Sequence, residues 1–248
     1  MEFERIADIK RLEFIRKTLE TSLPSGAEVL DVGCGNGVIS RSLGSLGFNV
    51  KGVDISEKAI ERAKVLNKLP NVKFEVKSAE QLVADGHQYH AIICSEVLEH
   101  LHQPEMLLQV LHQVLHKDGV LIVTVPNGKG PREVLVTKPV IAMQKKNNWV
   151  WKLVQKIKSA FGYKGTTVQS SADDLTHIQF FTKNDLEKLA NTNQFNIVQF
   201  GKTNFIEDVF PFSFFTKRFK FLQKWDCAVA EKLPYQFTGG FVTVWQKK

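Results

Sequence analysis

Two short stretches hold most of the residues whose types and spacing can do chemistry. The first is Asp31-Val32-Gly33-Cys34-Gly35-Asn36-Gly37; the second is Ser95-Glu96-Val97-Leu98-Glu99-His100. In the first, three alternating glycines follow an apolar run (Val29, Leu30, Val32) and precede a helical pattern (Val38, Ile39, Leu43). Strand, glycine turn and helix in that order let a backbone approach a ligand closely. The spacing is G-x-G-x-G, not the G-x-G-x-x-G that seats a pyrophosphate on a helix N-terminus. Asp31 leads it, and a carboxylate there repels a pyrophosphate but suits a cationic amino or sulfonium group. A generic glycine turn of an α/β protein is the plainer alternative.

In the second stretch Glu96, Glu99 and His100 stand at i, i+3 and i+4. If they open a helix they share one face, at about 100° per residue, and Val97, Leu98 and Leu101 turn the other way. Two carboxylates and an imidazole suit a divalent cation such as Mg²⁺ or Mn²⁺. One turn cannot close a coordination sphere, and His177, ahead of Phe180 and Phe181, is the candidate for a further ligand. Two other readings stay open. His100 could be a metal-free general base, or the acids could merely favour a helix N-terminus.

At these residues the sequence resembles the class I S-adenosylmethionine (SAM) dependent methyltransferases, whose first motif looks like residues 31–37. The E-x-x-E-H pattern with a later histidine before aromatics resembles two groups of them. One is the ubiquinone-biosynthesis O-methyltransferases. The other is the small-RNA 3′-end 2′-O-methyltransferases, where the matching residues hold a divalent metal. The resemblance implies SAM against Asp31, Gly33, Gly35 and Gly37, with Ala79, Glu80 and Ser95 also on the cofactor side. It implies Glu96, Glu99, His100 and His177 as metal ligands, with Glu96, Glu99 and His100 catalytic. Asp54 ends the second strand, where an acid commonly accepts both ribose hydroxyls; capping the helix near Glu57 is its alternative. Ile55 beside it would pack on the adenine face. Glu80 can equally cap a helix.

The elements that must position these residues follow from hydrophobic periodicity. An opening helix carries Phe3, Ile6, Ile9, Leu12, Ile15 and Leu19 at three- and four-residue intervals. Strands are predicted at Val50–Asp54, Val72–Ser78, Tyr89–Ser95, Gly119–Pro126 and Phe195–Phe200, with helices between them. A last strand lies within Phe237–Gln246. The expected fold is α/β: a doubly wound, Rossmann-like, seven-stranded sheet with helices on both faces. The family resemblance places the last strand antiparallel between the fifth and sixth.

The 248 residues, 43% hydrophobic, suffice for one methyltransferase domain over 1–248 with an inserted lid. The net charge is +7, but residues 128–165 hold nine basic residues against one acid, Glu133. That segment alone is +8, leaving −1 for the rest. We read 128–173 as a basic lid suited to an anionic partner: a phospholipid surface, a glycan phosphate or nucleic acid. A solvated helix face is the bland alternative. Residues 202–236 are rich in aromatics, expected chiefly as core packing against that lid, with a membrane-facing patch as the sharper alternative. Three scattered cysteines, no visible signal peptide and no apolar span of membrane length suggest a cytoplasmic protein, peripheral to a membrane at most.

Together these features read as a SAM-dependent O-methyltransferase. Its acceptor would be a hydroxyl of a sugar, a lipid-linked glycan or another vicinal-diol metabolite, aided by a divalent metal. The alternatives are an RNA ribose 2′-O-methyltransferase and a metal-free small-molecule methyltransferase with His100 as base. A SAM-binding scaffold without activity is the reading outside enzymes.

Overall fold

The chain forms seven strands: β1 (Glu28–Val32), β2 (Asn49–Asp54), β3 (Val72–Val76), β4 (Tyr89–Ser95), β5 (Leu115–Pro126), β6 (Phe195–Lys202) and β7 (Gly240–Lys247), with Gly33, Asp54 and Pro126 closing the first, second and fifth. The structure, a computed structural model, describes residues 3–139, 177–207, 209 and 212–248. The strands form one sheet in the order β3-β2-β1-β4-β5-β7-β6. β1 to β5 pair in parallel, and β7 runs antiparallel to both β5 and β6. Strand order reverses between β1 and β4, and a doubly wound sheet binds ligands beyond the carboxyl ends of its strands at such a switch point.

Alternate residues of the inner strands face opposite sides, so the sheet builds two cores. Val29, Ile93 and Ile122 pack against α1 (Ile6–Ser22), α2 (Val38–Gly44) and α3 (Glu57–Leu66) through Ile15, Leu43 and Ile60. Leu30, Ile92 and Leu121 face α4 (Ala79–Ala84), α5 (Pro104–Val114) and α6 (Lys183–Thr192) through Leu82, Leu108 and Leu186. A one-residue slip in any of these strands would exchange the two faces. Two further helices, α7 (Phe212–Arg218) and α8 (Lys220–Lys232), lie between β6 and β7, and α8 packs on α1.

Two expectations change. No α-helix begins at Glu96: the chain makes a single 3-10 turn, Leu98–His100. Glu96 itself sits at φ +56°, a left-handed conformation that breaks the helical path before it starts. The aromatics of α7 and α8 are not core: Phe214, Phe215, Phe219, Phe221 and Trp225 are all exposed. Of the proposed lid, residues 140–173 lie outside the described residues.

Candidate active site

The glycine turn crosses the carboxyl ends of β1 and β2. Gly33, Gly35 and Gly37 all have positive φ (68°, 53° and 78°), which strains any residue with a Cβ. A Cβ on Gly33 would lie 2.5 Å from Val97, and one on Gly37 2.4 Å from the Phe74 ring. At Gly35 it would meet nothing within 4 Å, so this part of the turn faces open space. The N–H groups of Gly33 and Cys34 both donate to Val53 O, pinning the turn to β2.

Asp54 stands at the rim. One carboxylate oxygen accepts the Gly35 N–H at 2.9 Å and the other the Ser56 N–H at 2.9 Å. Ser56, not Asp54, caps α3 through the Ala59 N–H, which removes the helix-cap alternative. Each Asp54 oxygen keeps a lone pair for an outside donor. Ile55 beside it is 78% exposed.

Asp31 is placed differently from the expectation. It is buried beneath the turn, and its carboxylate accepts the Ser40 hydroxyl at 2.5 Å. Burial pushes its pKa up to about 7, against the lowering effect of the Ser40 bonds. Asp31 thus faces α2 and can act on a cation in the cleft only through space. Ala79 and Glu80 open α4, which follows β3 in the chain.

Beyond β4 the chain gathers a second group. Ser95 Oγ lies 2.9 Å from Thr124 Oγ1 on β5. Glu96 is held by three bonds. Its N–H donates to Thr124 O, and Oε1 accepts the Thr124 hydroxyl at 2.9 Å and pairs with Arg11 of α1 at 2.9 Å. Glu99 is 1% exposed, and neither carboxylate oxygen has a hydrogen-bond partner among the described residues. Burial, reinforced by Glu96, raises its pKa well above the usual carboxylate range.

His177 reaches Glu99 from far along the chain because residues 177–181 are clamped in place. The Ile178 and Gln179 N–H groups donate to Glu99 O, and the Gly128 N–H donates to Phe181 O at 2.7 Å. The outcome is a compact set: one donor atom from each of Glu99, His100 and His177 lies within 4.8 Å of the others. The two imidazole centroids are 5.2 Å apart. Glu96, the fourth ligand expected from the sequence, is not in this set.

Glu133 borders this set through His177. It is buried just after β5, Oε1 is 3.7 Å from His177 Nδ1, and Oε2 has no hydrogen-bond partner among the described residues. The only signal for it in the sequence is its standing as the single acid of the basic stretch 128–165. Arg11 has no such signal; only the packing of α1 over the sheet brings it to Glu96.

Residues 4–200 match a family model described as a methyltransferase domain. Among curated relatives, a ubiquinone biosynthesis O-methyltransferase of Xanthomonas axonopodis is 34% identical over 120 residues, 47% of this chain and 49% of that protein. The mitochondrial ubiquinone biosynthesis O-methyltransferase of Bos taurus is 36% identical over 133 residues, 47% of this chain and 35% of that protein. The chain thus spans about half, or less, of the length of these relatives. Among solved structures, a magnesium protoporphyrin IX methyltransferase from Synechocystis with bound S-adenosylhomocysteine superposes with TM-score 0.56 at 20% identity, over 98% of this chain and 84% of that one. At that identity the likeness speaks for the fold.

Proposed function

The chain belongs to the methyltransferase domain family, of the class I SAM-dependent kind, and we propose that it is an O-methyltransferase acting on a small molecule with neighbouring hydroxyls. The observation that carries this reading is Glu99. A carboxylate buried without hydrogen bonds is costly unless a cation or a proton compensates it. With His100 and His177 beside it, Glu99 fits a divalent ion of the Mg²⁺ or Mn²⁺ type.

The cofactor side also fits. The open face at Gly35, the free lone pairs of Asp54 and the exposed Ile55 suit the aminoacyl arm, ribose and adenine of SAM. When bound, SAM supplies a methyl group on a cationic sulfur, and a divalent ion supplies a positive charge that eases loss of an acceptor proton. The protein aligns. Asp54 and the glycine turn fix the donor end, while Val97, packed on Gly33, separates it from the acidic group beyond β4. His100 Nε2, 3.8 Å from Glu99 Oε1, is oriented by that carboxylate and can receive the acceptor hydroxyl proton. That contact also favours the second reading, a metal-free transfer with His100 as base.

The relatives named as ubiquinone biosynthesis O-methyltransferases support a small-molecule acceptor; a catechol, a sugar and a lipid-linked glycan each present a pair of neighbouring oxygens. Incubating the protein with isotopically methyl-labelled SAM and a panel of catechols, sugars and RNA oligonucleotides tests this. We expect a methyl ether on a diol, formed faster with Mg²⁺ or Mn²⁺ and suppressed by EDTA. Full activity in EDTA would transfer the role to His100 alone, and labelled RNA would replace the small-molecule acceptor.

A further inference from the structure

Helices α7 and α8 turn four polar residues inward. Ser213, Thr216, Gln223 and Asp226 are buried, and four of their bonds lock the pair to the body of the protein. Thr216 Oγ1 donates to Glu207 O at 2.8 Å, and Gln223 Oε1 accepts the Ile6 N–H at 2.9 Å. Asp226 accepts the N–H groups of Phe205 and Ile206 at 2.7 and 2.9 Å. This anchoring fixes which face looks outward, and that face is aromatic. Phe214, Phe215, Phe219, Phe221 (66% exposed) and Trp225 (54% exposed) line it.

Arg218, Lys220 and Lys224 are exposed among them, and residues 212–225 contain no acid. Soluble surfaces scatter single aromatics; a cluster of five, held outward by a satisfied polar network, marks a contact face. Aromatic rings interleaved with lysine and arginine match the headgroup region of a bilayer, where rings sit between lipid and water and cations meet anionic headgroups. Part of the face lies on α8, which packs on α1, and α1 carries Arg11 to Glu96.

We propose that the outer face of α7 and α8 docks the protein on an anionic lipid bilayer. Charge selects this occupant: a net basic aromatic face is complementary to anionic headgroups. The proposal stands apart from methyl transfer, since the face contains no residue of the site.

Flotation of the full chain with phosphatidylcholine vesicles, with and without phosphatidylglycerol, tests it. The protein should float with the anionic vesicles and lose binding as salt rises. Phe221→Ser with Trp225→Ser, and separately Lys220→Glu with Lys224→Glu, should each lower the bound fraction about tenfold or more. Both pairs are exposed, so the melting temperature and SAM affinity should stay at wild-type values, separating a lost surface from a lost fold. Absence of wild-type flotation, or undiminished flotation of both variants, would overturn the proposal. A dimer that the aromatic variant dissociates, with no vesicle binding, would overturn it in favour of a second copy as occupant.

Discussion

Asp54 accepts two backbone N–H groups at the rim of the cleft, whereas Glu99, deep beyond β4, accepts none from the described side chains or backbone. The first is held ready for outside donors; the second is the group to which the proposed function assigns a cation. Glu99→Gln keeps the shape and removes the charge that burial penalises. Its metal-free melting temperature should therefore equal or exceed that of wild type, while Mn²⁺ binding followed by paramagnetic resonance should be lost and SAM affinity retained. Retained Mn²⁺ binding would remove Glu99 from the site. Asp31 makes a pH-dependent case. Its pKa is about 7 in the fold against 3.8 ordinarily. Between those values the folded chain holds a proton that the unfolded chain has lost, so this group makes stability fall as pH rises through the window. A cationic donor favours the ionised form, so SAM should bind more tightly as pH climbs toward 7. Asp31→Asn should flatten both profiles in thermal and calorimetric titrations; unchanged slopes would assign them to other groups.

At the scale of elements, the segment 177–181 is what turns distant residues into one site. Its clamp depends on the close approach of Gly128, where a Cβ would lie 2.3 Å from the Phe180 carbonyl carbon. Gly128→Ala should push this segment off the turn at Leu98–His100, costing about 1–3 kcal/mol in denaturant unfolding. It should also weaken Mn²⁺ binding while leaving SAM affinity intact. Normal Mn²⁺ affinity would show that the segment does not position His177. The strands and most helices are legible in the sequence because their apolar residues recur at a single period. The turn after β4 is not. Spacing alone puts Glu96, Glu99 and His100 on one helical face, but Thr124 and Arg11, from β5 and α1, hold Glu96 in a left-handed conformation. Periodicity along a chain cannot report partners that arrive from other elements.

Across the whole molecule, the strand order brings the glycine turn, Asp54 and the ends of β4 and β5 to the same edge of the sheet. That much follows from the sequence, since the motif order determines it. Glu133 and the outward aromatics do not. One depends on how the chain after β5 folds back, the other on polar anchors such as Asp226 that claim the inner side of α8. In the proposed function, donor and acceptor meet where parallel strands end, with the donor over β1 and β2 and the acidic group over β4 and β5. Calorimetric titration of SAM into the wild-type chain and into Asp54→Ala tests this arrangement most directly. A single site in the wild type, weakened about tenfold or more by the substitution, is the expected result. No SAM binding by the wild type, or equal affinity in both proteins, would contradict it.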